Sequence, residues 1–264
     1  MLPGAGRAYL GAWRRGLLIF AGLLGMHVVG GFLQATYSGF LVGLGSYALV
    51  HLLAAIDAIR FARRHGFQTS GEGGRVLAFF IVGFAVLRYV PFGVVAGTEL
   101  YEASSHSSQP TLRPGDAFMV KWTAPAQIAR GDLIVFEAYS QTAYVNRVVG
   151  LGDRIQVRGG ILHVNGSPVT RRPIERPAGS QEGGSYYEES LPDGAVHPIR
   201  EVDDDEFGDN TQEHVVPTGH VFVMGDNRDN AQDSRYMGPI AFDRVLGRAS
   251  YVLSEDFDRM GLPL

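Results

Sequence analysis

Three apolar stretches in the first hundred residues constrain this chain more than any other feature. They run roughly over residues 16–35, 39–59 and 76–96. Each is close to the ~20 residues that a helix needs to cross ~30 Å of hydrocarbon. None offers a polar face, so three transmembrane helices are expected rather than the buried helices of a soluble protein. Two further stretches follow the first, which argues against a cleaved leader. Arginine sets the sidedness. Arg7, Arg14 and Arg15 precede the first stretch, and Arg60, Arg63, Arg64 and Arg75 lie between the second and third. Residues 36–38 carry no charge. The positive-inside rule then places the N-terminus in the cytoplasm and everything after about residue 97 on the far side. Arg88 interrupts the third stretch. It reads either as a functional charge in the membrane or as a side chain snorkelling to the outer interface.

Charge divides the chain at the same place. Residues 1–99 hold eight Lys/Arg against three Asp/Glu, and residues 100–264 hold 15 against 24. An acidic globular part excludes a nucleic-acid surface, which needs cationic groups. There is no cysteine, so thiol chemistry and disulfides are excluded, and Lys121 is the sole lysine. No His pair at zinc spacing and no phosphate-binding Gly loop is present, so neither metal nor cofactor is expected.

Beyond residue 99 the pattern changes to short alternating runs punctuated by Gly, Asp and Pro. Strands are expected over residues 117–122, 133–138, 142–149, 154–158, 161–164, 220–224 and 245–253, with a tight hairpin at Asn165-Gly166. The expectation is an antiparallel, mainly β domain over 100–264, after a membrane anchor over 1–99. Residues 171–216 are polar and read as an inserted region of loops and short strands. Within it Asp203-Asp204-Asp205-Glu206 reads as a solvated acidic loop, because the EF-hand spacing fails at His214.

The densest chemistry lies in Met224-Gly225-Asp226-Asn227-Arg228-Asp229-Asn230-Ala231-Gln232-Asp233-Ser234-Arg235. Acids, amides and guanidiniums alternate there beside an apolar run, as in a buried polar network in which each desolvated charge has a partner. This box resembles the most distinctive box of bacterial type I signal peptidases, membrane-bound serine proteases that remove secretion signals. Three further blocks agree in order. They are the apolar anchor leading into Ser105-His106-Ser107-Ser108-Gln109-Pro110-Thr111-Leu112, the apolar strand around residues 118–121, and Tyr144-Val145-Asn146-Arg147-Val148-Val149-Gly150-Leu151-Gly152-Asp153.

The resemblance implies roles. Ser107 falls on the family's nucleophile and Ser105 on its oxyanion-hole serine. Asn146 falls on the general-base lysine. Asp226, Arg228, Asp233, Arg235 and Arg147 match its structural charges. It also implies a location in the bacterial plasma membrane and contact with the lipid bilayer. Its implied substrates are the signal peptides of exported preproteins, bound extended against a strand edge.

At the base position the pattern breaks. An amide nitrogen has no basic lone pair near neutral pH. The serine that holds the family's lysine is replaced by Ala231, and His106 and Ser108 replace a glycine and a methionine. Lys121 and His106 remain as alternative bases, although His106 adjoins Ser107 and adjacent extended residues point apart. Two functions follow. One is a signal peptidase working without its usual base. The other is an inactive pseudopeptidase that binds signal peptides or regulates an active sibling. A self-processing or conjugation-type protease is a third reading, disfavoured by the long insert.

Overall fold

The computed structural model describes residues 97–138, 142–177, 183–202, 207–254 and 258–264, together with isolated positions before residue 61. The three apolar stretches fall largely outside the described residues, and Arg88 and the acidic run Asp203 to Glu206 fall wholly outside them. Among the described residues no helix is long and apolar enough to cross a membrane. The chain divides into two compact units, Met1–Thr98 and Glu99–Leu264.

From Thr98 onward the chain is mainly β. Its strands are β1 (Thr98–Glu102), β2 (Ala117–Lys121), β3 (Leu133–Glu137), β4 (Ala143–Gly150), β5 (Arg154–Arg158), β6 (Ile161–Val164) and β7 (Ser167–Pro168). They continue as β8 (Thr170–Pro173), β9 (Ser185–Ser190), β10 (Val196–Glu201), β11 (His214–Val215), β12 (His220–Met224), β13 (Ile240–Ala241) and β14 (Val245–Leu253). One short helix, α1 (Ser234–Met237), precedes β13. The main sheet has the order β1-β2-β14-β3-β4-β12-β13, and two smaller sheets run β11-β5-β6-β7 and β10-β9-β8. The pairings among β2 to β14 are antiparallel.

Alternation explains how the sheets stack. In β3, Leu133 and Val135 pack into one apolar cluster with Phe118, Val120, Ala249 and Val252. Ile134 and Phe136 pack on the opposite face with Val148, Val221 and Val223. A strand buried on both faces reads as a continuous apolar run, which is what Leu-Ile-Val-Phe is. Each such side chain contributes about 1.5–3 kcal/mol by leaving water. β5 and β6 bury only alternate residues. Their Ile155, Val157, Leu162 and Val164 meet Phe222 and Met224 of β12.

The Asn165-Gly166 turn joins β6 to β7 with both residues at positive φ, 53° and 83°. Among its described residues, the polar region over 171–216 contains short strands. β9 and β10 form a hairpin in register from Ser190↔Val196 to Ser185↔Glu201. β8 flanks it on the other side of β9.

Two pairings set up the site. In β4, Asn146 lies opposite Ile134 and Arg147 lies opposite Met224, the last residue of β12. The polar box therefore starts where β12 leaves β4.

Candidate active site

The segment after β1 folds into consecutive turns, and Ser108 fixes it to β4 by donating its hydroxyl to the Val145 carbonyl at 2.7 Å. Ser107 is partly exposed on this turn. Its Oγ lies 3.0 Å from Ser105 Oγ. The two serines assigned from the sequence are thus each other's partners. Lys121, one of the two alternative bases considered, is exposed at the end of β2 opposite Arg248.

Asn146 is 1% exposed. Its Nδ2 donates to the Gln232 carbonyl at 3.0 Å, and its Oδ1 is buried without a partner. That donation fixes the amide's orientation, because a flipped amide would set two carbonyl oxygens against each other. The site converges on Gly225. A Cβ there would collide with the Ala231 methyl, and would lie 2.6 Å from the Ser107 carbonyl oxygen and 3.5 Å from Asn146 Oδ1. Serine turn, Asn146 and Ala231 are therefore brought together, but the Ser107 hydroxyl bonds Ser105 and Asn146 bonds Gln232. Gly225 serves close approach. Gly225→Ala should cost about 1–3 kcal/mol by overpacking. Thermal unfolding of the full chain checks this, with Gly183→Ala as a control, where a Cβ meets nothing within 4 Å and φ is not positive.

The charges of the box are buried and paired. Arg147 grips Asp226 bidentately, Nε to Oδ1 at 2.8 Å and Nη2 to Oδ2 at 2.7 Å, and also donates to the Gly131 carbonyl. Thr111 donates its hydroxyl to the same carboxylate. Asp233 caps α1 through the Arg235 N–H, accepts the Gly225 N–H at 2.9 Å, and pairs with the Arg235 guanidinium. Arg235 in turn donates to the Arg228 carbonyl. The partner of Arg228 comes from the insert: Glu189 of β9, held by two hydrogen bonds. Burial alone would raise the acids. Arg228 outweighs it at Glu189, which sits at about 2, and Arg147 outweighs it at Asp226, which falls below the usual carboxylate range.

His197 of β10 lies between these pairs. Its Nε2 is 3.5 Å from Glu189 and 3.9 Å from Asp226, beyond hydrogen-bond length for the latter and poorly aligned for the former. Burial lowers its pKa, Arg147 lowers it further, and the two carboxylates oppose without prevailing. The unfolded chain therefore binds this proton more readily. Stability contributed here is present above the ordinary histidine value of 6.5 and lost as pH falls below it. His197→Phe should flatten the stability profile just below that value, measured as melting temperature against pH.

The family described as signal peptidase, peptidase S26, matches residues 75–254. The chain belongs to this family. It is 35% identical over 176 residues to signal peptidase I of Bacillus caldolyticus, covering 62% of this chain and 86% of that protein. It is 28% identical over 158 residues to signal peptidase IB of Staphylococcus aureus strain COL, covering 57% of this chain and 75% of that one. A solved signal peptidase I from Enterococcus faecalis V583 is 22% identical with a TM-score of 0.29, covering 46% of this chain and 96% of that chain.

Sequence reasoning missed several residues of this neighbourhood. Glu189, His197 and Arg200 sit in polar strands with no apolar alternation to mark them. Asn227 lies within the box, yet the sequence pattern assigns it no role. Its N–H donates to the Ser107 carbonyl at 3.0 Å and its side chain to the His106 carbonyl at 2.9 Å. No local pattern in the sequence marks these carbonyls as ones that Asn227 would hold.

Proposed function

We propose that this signal peptidase relative engages the cleavage region of signal-peptide-bearing preproteins at the Ser105–Ser107 turn and hydrolyses it only slowly. It holds substrate more than it turns it over. The observation behind this reading is the buried Asn146 in the place of the family's base, its N–H group committed to Gln232. A serine hydroxyl is a weak nucleophile until a base takes its proton. Ser105 Oγ shares a hydrogen bond with Ser107 Oγ but is no base near neutral pH. Preserved scaffold charges with an altered base position suit a binding role beside a lysine-bearing sibling.

In the same reading, residues 16–35, 39–59 and 76–96 are transmembrane helices in the bacterial plasma membrane. The N-terminus is cytoplasmic, and the domain over 100–264 faces outward beside the bilayer, where exported preproteins emerge. The test uses full-length protein in lipid vesicles and a preprotein with its signal peptide. Wild type and Ser107→Ala should retain the preprotein with the same affinity, and wild-type cleavage should be slow. Loss of retention by both, or rapid cleavage by the wild type, overturns the reading.

A further inference from the structure

The insert reaches the serine turn through one amide. Backbone bonds from Arg200 N–H to the Asp226 carbonyl at 2.8 Å, and from Arg228 N–H to the Arg200 carbonyl at 2.9 Å, lay β10 in parallel beside the box. Asn227 is caught between them and fully buried. Its Oδ1 accepts from Arg200 Nη1 at 3.1 Å. Arg200 Nε is anchored on the Gly183 carbonyl at 2.8 Å.

An amide side chain has two faces, acceptor and donor, and nothing intrinsic decides which way it turns. A guanidinium only donates. With Arg200 on one side, Oδ1 must face it and Nδ2 must face the His106 carbonyl. The Asn227 backbone N–H holds the next carbonyl, that of Ser107. Two consecutive carbonyls of the serine turn are thereby fixed by one residue whose orientation is dictated from the insert.

We infer that Arg200 is a positioning residue for the Ser107 turn, acting through Asn227. Arg200 touches no reacting group. It sets the amide, the amide sets the two carbonyls, and these set where Ser105 and Ser107 present their hydroxyls. The inference deepens the substrate-holding role proposed for that turn and rests on it only for its effect on binding.

Three variants of the full chain test it. Arg200→Met removes the donor. Arg200→Lys keeps a donor without the fork. Asn227→Asp keeps an acceptor for Arg200, so the insert stays docked, but has no N–H for the His106 carbonyl. Hydrogen exchange is followed at the amides of Gln109, which donates to the His106 carbonyl, and Asn227. About tenfold in an equilibrium is the upper worth of a neutral hydrogen bond and the lower worth of one to a charged group. Exchange at both amides should accelerate by about that factor in Arg200→Met and in Asn227→Asp, less in Arg200→Lys, with β3 unchanged. Exchange as slow as in wild type in Arg200→Met, or in Arg200→Lys should Arg200→Met fail to fold, overturns the inference, and so does unchanged exchange in Asn227→Asp, since the amide would then not hold the turn. Preprotein affinity should fall alongside. Accelerated exchange with unaltered affinity supports the positioning and overturns instead the substrate role given to the turn.

Discussion

Replacing Asn146 by lysine and Ala231 by serine together should raise preprotein processing by about 10²–10⁴-fold, the usual worth of a positioned general base. Asn146 is 1% exposed and Ala231 8% exposed, and both face Gly225 beside the serine turn. An amine at position 146 would enter a dry site, where burial disfavours the ammonium form and lowers its pKa towards the working range. The Asn146 Nδ2 already bonds the Gln232 carbonyl, so an acceptor for the new amine is in place. The hydroxyl introduced by Ala231→Ser would add a second. For this reason Asn146→Lys alone should recover less than the pair, because a buried amine with one partner is poorly held. The rate is followed as product against time for a preprotein in vesicles. Adding Ser107→Ala to the double variant should return it to the wild-type rate. Equal rates for wild type and double variant would remove the altered base as the reason for slow turnover.

Much of this is legible in the sequence, for identifiable reasons. β3 was readable because both of its faces are buried, so Leu133 to Phe136 form an unbroken apolar run. The hairpin at Asn165-Gly166 was readable because positive φ restricts the residue types. The box was readable as buried because so many charges in a row make sense only as a network, and Asp226, Arg228 and Asp233 are each 2% exposed or less. What pairs with what was not readable. Arg228 finds Glu189 and Asn227 finds Arg200, both in the insert, and a long-range polar contact leaves no local period. The same residues hid β9 and β10. In Ser-Tyr-Tyr-Glu-Glu-Ser a buried position is filled by Glu189, and in Val-His-Pro-Ile-Arg-Glu three are filled by His197, Arg200 and Glu201. Hydrophobic alternation fails wherever ion pairs replace apolar contacts in the interior. Asn146 and Ala231 stand out in the sequence as departures from the family pattern, yet the hydrogen bond that occupies Asn146 required the fold.

Removing one member of the Arg147–Asp226 pair should destabilise the domain by about 3–5 kcal/mol, because it leaves a buried charge without its partner. The side chains are 6% and 1% exposed and joined by two hydrogen bonds. In Arg147→Met, Asp226 would keep the Thr111 hydroxyl and a histidine at 3.9 Å, too little to hold an ionised carboxylate away from water. Asp226 would then take up a proton, and this gives the prediction a signature in pH. In wild type its pKa lies below 3.8, so the pair's stabilisation is present at neutral pH and is lost as pH falls through the folded value. In Arg147→Met the folded pKa rises above the unfolded one, so acidification relieves the variant. The gap between the two melting temperatures should be widest near neutrality and narrow towards about pH 4, near the ordinary carboxylate value. Arg147→Met combined with Asp226→Asn removes both charges and should recover most of the loss, since an apolar or neutral replacement of a buried pair is often close to neutral. A gap that stays constant with pH, or a double variant no better than the single, would mean that packing of the Arg147 stem rather than its charge holds β4 against the box.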